Sequence, residues 1–306
     1  MTWNRVYGGT GEPRDVQLPP APPWRRFPLR NHGAVFQPPA GLVEAVNAAI
    51  WLRRPLLITG SPGSGKSTAI ESVAAELKLG DVLRWHITSR STLQDALYRY
   101  DVLGRIHAQQ IDPEAEDDIA TFLRLGPLGT ALAPRKRPRA LLIDEIDKSD
   151  LDLPSDLLDV LERGAFEIPE LLRHDESEVE VREWDGEGRQ RIVGGRVQCA
   201  EFPFIVMTSN GEREFPGPFL RRCIRFEMPA PTEPMLRQII EAHLTQLPSA
   251  PELTELIADF TSRLESGEEL AVDQLLNAAH VLAASKMTGE QRSALKKLLI
   301  RRLSGG

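Results

Sequence analysis

The run Gly60-Ser61-Pro62-Gly63-Ser64-Gly65-Lys66-Ser67, followed by Thr68, spaces three glycines ahead of a lysine and a hydroxyl. Glycines let the backbone curl so that successive N–H groups face one anion. A helix expected over Thr68 to Leu79 adds the partial positive charge of its N-terminus. The spacing fits G-x-x-x-x-G-K-[ST], the phosphate-cradling P-loop. In that pattern Lys66 reaches the β- and γ-phosphates of a nucleoside triphosphate, and the Ser67 hydroxyl ligates magnesium. The expected ligands are therefore ATP and Mg2+, with adenine against guanine left open.

Two carboxylates follow at the end of an apolar run, Ala140-Leu141-Leu142-Ile143-Asp144-Glu145. Phosphoryl transfer to water needs one carboxylate for the metal and one for the nucleophile. Asp144 suits the first role and Glu145 the second, the Walker B arrangement. Asp147 and Asp150 read instead as solvated charges at a helix start. Asn210 follows the next apolar strand, where an amide can donate to phosphate and accept from water at once. Asn210-Gly211 is also an ordinary turn signal. Arg221 and Arg222 precede the last strand. Either they make surface ion pairs, or one of them spreads its guanidinium over a phosphate in the transition state.

The elements that must carry these groups are legible. Leu56 to Thr59, Val82 to Thr88, Ala140 to Asp144, Phe202 to Met207 and Cys223 to Phe226 read as strands. Helices are expected over Gly41 to Leu52, Ser91 to Tyr100, Ile119 to Leu125 and Pro154 to Arg163. Alternating strands and helices imply a parallel sheet flanked by helices, an α/β fold. A hairpin is expected near 176–198, turning at Asp185-Gly186. From Pro234 onward only helical periodicity remains, in four amphipathic segments. The expected division is a Pro-rich arm over 1–33, a nucleotide-binding α/β domain over 34–231 and a helical lid domain over 232–306. Trp3, Trp24 and Phe27 are candidate anchors for the arm.

Composition fits this. The 306 residues are 41% hydrophobic and 26% charged, with a net charge of −7. That charge disfavours a broadly basic nucleic-acid surface. Cys199 and Cys223 lack metal-ligand spacing and read as reduced thiols. No segment approaches the length of a membrane span, so the expected compartment is the cytoplasm. His86 reads as an interior histidine.

Together, the P-loop, the Asp144-Glu145 pair, Asn210 after the following strand, the paired arginines and the helical C-terminus resemble an AAA+ ATPase from about Ala34 to Leu303. Pro39 to Val46, Gly126-Pro127-Leu128 and the hairpin are similar to the MoxR-like members, and more weakly to the dynein-related and McrB-like branch. The resemblance implies a homo-oligomeric ring, usually a hexamer, with the lid closing over the nucleotide. It implies Asn210 as sensor 1 and Arg222, with Arg221 second, as a finger acting on the neighbour's nucleotide. It implies protein clients, among them proteins with von Willebrand factor A domains, and roles in bacterial conflict or stress systems. Glu268 to Leu276 holds no basic residue, so no sensor 2 is assigned.

Two alternatives stay open. A nucleic-acid motor on the same fold would use the basic run Arg135 to Arg139, which otherwise reads as a solvated loop. A nucleotide-gated scaffold would hydrolyse slowly. Trp184 at the hairpin tip is a candidate partner contact.

Overall fold

The computed structural model describes residues 6–7, 9–13, 15–26, 36–111, 118–174, 176–244, 247–284 and 287–301. Trp3, Phe27, Asp175 and the acidic residues 112–117 lie outside them. The chain forms two compact units, one of Pro38–Thr59 and Lys66–Glu227, the other of Met1–Gln37, Gly60–Gly65 and Met228–Gly306.

The strands of the first unit are β1 (Leu56–Thr59), β2 (Leu83–His86), β3 (Tyr98–Tyr100), β4 (Leu123–Leu125), β5 (Ala140–Asp144), β6 (Ala165–Glu167), β7 (Glu178–Arg182), β8 (Arg189–Val193), β9 (Arg196–Gln198), β10 (Phe204–Ser209) and β11 (Ile224–Glu227). Its helices are α1 (Leu42–Leu52), α2 (Lys66–Glu76), α3 (Leu93–Leu97), α4 (Val102–Ile111), α5 (Pro127–Ala131), α6 (Leu153–Arg163), α7 (Pro169–Leu172) and α8 (Gly217–Arg222).

The main sheet is parallel, in the order β11-β1-β10-β5-β2. Its three central strands are apolar almost throughout because both faces are covered. Leu56 to Ile58, Ala140 to Ile143 and Phe204 to Ser209 are all buried. The edge strand β2 alternates instead, burying Leu83 and Trp85 and exposing Arg84 and His86. This register sets β1, β10 and β5 side by side, Thr59 beside Ser209 and Met207 beside Ile143. Their carboxyl ends form the edge where open α/β sheets bind ligands.

A second sheet, in the order β3-β4-β7-β8-β9-β6, was only partly foreseen. The expected hairpin is β7-β8. The helix expected over Ser91 to Tyr100 is shorter, with Tyr98 to Tyr100 leaving it as β3. The helix expected over Ile119 to Leu125 is one 3-10 turn, Ile119–Phe122, followed by β4. Both strands form because Tyr98 pairs with Leu125 and Tyr100 with Leu123, burying Tyr98, Leu123 and Leu125 on one face. That pairing joins segments remote in sequence, which local periodicity cannot register. The opposite face of this sheet is open to solvent.

The Gly126-Pro127-Leu128 motif has a steric cause. A Cβ on Gly126 would lie 2.3 Å from the carbonyl oxygen of Ala96, and one on Gly129 would lie 1.8 Å from that of Leu97. The backbones of α3 and α5 therefore touch where only glycine fits.

The second unit holds α9 (Glu233–His243), α10 (Ala250–Glu265), α11 (Val272–Ala284) and α12 (Gly289–Leu299). Leu236, Ile240, Leu256, Ile257, Phe260, Leu275 and Ala279 form its core. Capping boxes at Ser249/Glu252 and Thr288/Gln291 start α10 and α12. The Pro-rich segment docks here through a 3-10 turn, Pro23–Arg25. The Trp24 indole donates to Asn277 Oδ1 at 3.2 Å and meets the His280 ring edge-on at 5.6 Å. Burial there, aided by the Arg26 charge, holds His280 below its ordinary pKa.

Gly129→Ala should destabilise the protein by about 3 kcal/mol in urea unfolding, because backbone cannot yield to the new methyl. Gly217→Ala, whose Cβ would meet open space, should change the midpoint little. Equal midpoints for the two variants would refute the close approach of α3 and α5.

Candidate functional site

The loop after β1 is shaped by glycine. Gly60, Gly63 and Gly65 have φ of 146°, 72° and 89°, values L side chains rarely adopt. A Cβ on Gly60 would lie 2.9 Å from Met228 Cβ, and one on Gly63 would lie 2.8 Å from the Val272 nitrogen. Ser64 Oγ is buried with no hydrogen-bond partner among the described residues, an acceptor-and-donor group with capacity for a polar ligand. The Val272 contact sets the start of α11 against the loop, in the stretch where no basic residue stands.

The first turn of α2 carries the next groups. Lys66 is 7% exposed, and its Nζ donates to Asn210 Oδ1 at 2.9 Å. Burial lowers its pKa, opposed by the charges of Asp144, Asp147 and Glu145. Ser67 Oγ donates to Asp144 Oδ1 at 2.9 Å. That same oxygen accepts from Thr208 Oγ1 at 2.6 Å. Residues 66, 67, 144 and 210 thus meet at the strand ends, as their types and order implied.

Glu145 departs from the strand. Its φ is 60°, left-handed, in a residue that is not glycine, a conformation costing roughly 1–3 kcal/mol and enriched at functional sites. Its N–H donates to Thr208 Oγ1 at 2.9 Å, which fixes the turn. Its Oε2 lies 2.9 Å from Lys148 Nζ and 3.5 Å from His86 Nε2. His86 is therefore no interior residue: its side chain is 63% exposed beside Glu145, because it shares the solvent-facing side of edge strand β2 with Arg84.

Asp147 also differs from expectation. It is 5% exposed, and its Oδ2 accepts from the N–H groups of Asn210 at 2.9 Å and Glu212 at 3.2 Å. Arg213 completes the clamp, donating to Ser149 O at 2.8 Å and Asp150 O at 3.1 Å. The turn after β10 is thereby fastened to the turn after β5. Asp150 is exposed as expected, and its Oδ1 accepts from the N–H groups of Asp152 and Leu153 at the start of α6. Sequence reasoning did not single out Thr208 and read Asp147 as a solvated charge. A hydroxyl near the end of a fully buried strand was the available signal for Thr208.

The arginines stand apart from these groups. Arg222, at the end of α8, is paired with Glu162 of α6, which raises its pKa further. Arg221 is exposed. The basic run is not a free surface either: Arg135 pairs with Glu183 and Arg139 with Asp185. Arg137 donates to the Leu77 carbonyl at 3.1 Å. Trp184 is half-buried, with the guanidinium carbons of Arg99 and Arg124 each 5.4 Å from its ring. Cys199 and Cys223 are free thiols, and burial pushes Cys223 up to about 12.

The residues present fit a nucleotide with magnesium. The orphaned Ser64 hydroxyl, the glycine-only curl and the desolvated lysine suit phosphate. Asp144 with Ser67 suits a hard cation that takes one or two carboxylates and completes its shell with phosphates and water. Among the described residues no helix is long and apolar enough to cross a membrane.

The family model for the AAA domain of the dynein-related subfamily matches residues 55–213. No curated protein matches the chain. A solved structure of a candidate ATPase from Cytophaga hutchinsonii ATCC 33406 is similar at 13% identity and a TM-score of 0.39, over 65% of this chain and 49% of that one. The chain thus spans about half the length of that protein.

Asp147→Ala should cost about 2 kcal/mol of stability, because two N–H groups lose a charged acceptor. Asp147→Asn keeps one acceptor oxygen and should lose less. Urea midpoints would decide this, and an unchanged midpoint in the alanine variant would remove Asp147 from the clamp.

Proposed function

The chain belongs to the dynein-related subfamily of AAA domains, and from that premise we propose that it is a MoxR-like ATPase that assembles into a ring and remodels a protein partner. Members of the family bind nucleotide and hydrolyse ATP. The observation supporting hydrolysis here is the convergence of Lys66 on Asn210 and of Ser67 on Asp144, across 144 and 77 residues of sequence.

In this reading the loop Gly60 to Gly65 and the first turn of α2, including Thr68, hold the phosphates. Lys66 sits against the β- and γ-phosphates. Magnesium, held through Ser67 and Asp144, would neutralise phosphate charge. Glu145 takes a proton from the water that attacks the γ-phosphorus, the bond to the bridging oxygen breaks, and ADP and phosphate leave. Asn210 orients that water. Glu145 must first let go of Lys148, whose ammonium lies 2.9 Å from its Oε2. Arg222, with Arg221 as the alternative, serves the nucleotide of an adjoining copy in a hexameric ring. A finger supplied in trans is worth about 10³–10⁵ in rate, so assembly would control turnover.

The client in this reading is a protein, with von Willebrand factor A domains the leading class and a conflict or stress system the setting. The nucleic-acid alternative is disfavoured, because Arg135 and Arg139 of the basic run are already paired within the chain. The slow scaffold is disfavoured by the intact pair Asp144 and Glu145.

Lys66→Ala should abolish tight ATP binding in calorimetry. Glu145→Gln should keep binding, lose hydrolysis and trap the assembled form. Arg222→Ala should cut turnover by about 10³ or more with nucleotide affinity nearly unchanged. Turnover per chain should fall on dilution. Full turnover by a monomer would defeat the ring, and normal turnover in Glu145→Gln would defeat the assignment of the base.

A further inference from the structure

Four arginines far apart in sequence form one row across the second sheet. Arg99 on β3 stands opposite Arg124 on β4, Arg124 opposite Arg182 on β7, and Arg182 opposite Arg189 on β8. All four side chains are exposed. Their strand neighbours Tyr98, Leu125, Val181 and Leu123 are buried on the other face, so the row lies on the solvent side. At about 4.8 Å between strands, it spans about 15 Å.

Like charges directly opposite one another destabilise a sheet. Folding stability therefore gives no reason for this arrangement. Among the described residues little offsets it. Arg99 Nε lies 3.5 Å from Asp95 Oδ1. Arg124 donates to the carbonyls of Glu183 and Trp184, which are neutral. Arg182 and Arg189 make no side-chain hydrogen bond or ion pair among the described residues. The Trp184 ring steadies Arg99 and Arg124 at one end. The row is thus held in place, and among the described residues only Asp95, beside Arg99, offers it a paired carboxylate.

We propose that Arg99, Arg124, Arg182 and Arg189 form a docking stripe for a short acidic segment of a protein partner. Guanidinium forks bind carboxylates bidentately. An extended peptide places same-face side chains about 6.7 Å apart, so two or three carboxylates cover the row. Glu178 and Glu180 share this face beyond the row, with Arg191 opposite Glu180 and paired with Glu178. They limit the anion to a short stretch. The inference deepens the reading of a protein client and rests on it.

The test is fluorescence anisotropy of the full chain with a short labelled oligoglutamate, and with a labelled oligothymidylate of equal length. Oligoglutamate should bind in a salt-sensitive manner. Arg182→Gln with Arg189→Gln should weaken it by roughly tenfold or more, with basal ATP turnover unchanged. Arg189→Glu turns a like-charge pair into an opposite one, so it should keep or raise the melting temperature while still weakening the peptide. Peptide binding that is absent, or indifferent to these variants, overturns the stripe. Binding of oligothymidylate alone through the same arginines overturns it in favour of a polynucleotide. Peptide binding by a wild-type chain that hydrolyses no ATP would leave the stripe standing and fell the proposed ATPase.

Discussion

One carboxylate oxygen organises the site. Asp144 Oδ1 accepts from Ser67 on α2 and from Thr208 on β10 while its own backbone ends β5. Three segments that share no local sequence are fixed to one point. The bond from Glu145 N–H to the same Thr208 hydroxyl extends the constraint. The left-handed turn at Glu145 is sterically unfavourable alone, and the threonine offsets part of its cost. Thr208 can do this only because β10 is buried end to end, which holds its hydroxyl away from water. The apolar character of the central strands and the polar geometry at their tips are one feature.

A second constraint joins the turns after β5 and β10. Asp147 and Arg213 clamp them from both sides. Asn210 therefore faces Lys66 from a backbone that cannot drift independently of the Asp144 turn. The insertion sheet is handled differently. Its inner face is packed, its hairpin is tied by Arg135 and Arg139, and its outer face keeps unneutralised charge. The arginines that sequence reasoning offered as a surface are internal fasteners, and the exposed ones lie where no contiguous motif marks them.

That contrast explains what was legible beforehand. The central strands of the main sheet could be read because they are continuous apolar runs ending at Gly60, Asp144 and Asn210. The three-residue strands β3, β4 and β6, unlike β9 inside the expected hairpin, could not, because so short a segment has no period and forms only by pairing with distant chain. Asp147 looked like a solvated helix-start charge because its partners, the N–H groups of Asn210 and Glu212, lie some sixty residues on. His86 alternates with the buried Trp85, which puts it on the solvent side of an edge strand beside Glu145. Arg99, Arg124, Arg182 and Arg189 become neighbours only through register.

The two neighbouring carboxylates end in opposite mechanical states. Asp144 is held by short hydroxyl bonds from packed elements, so its position belongs to the fold. Glu145 is held by Lys148, whose side chain is 41% exposed, and faces His86, still more exposed. Exposed ion pairs are weak. A bond of that kind fixes a carboxylate at rest and yields to a small change in the local field. On the proposed chemistry, the metal-side group needs no rearrangement and the water-side group needs only to exchange a surface ammonium for water. The barrier to activation then lies in what approaches Glu145 from outside its own strand. An ATPase whose turnover is set by a neighbouring copy needs that division of labour.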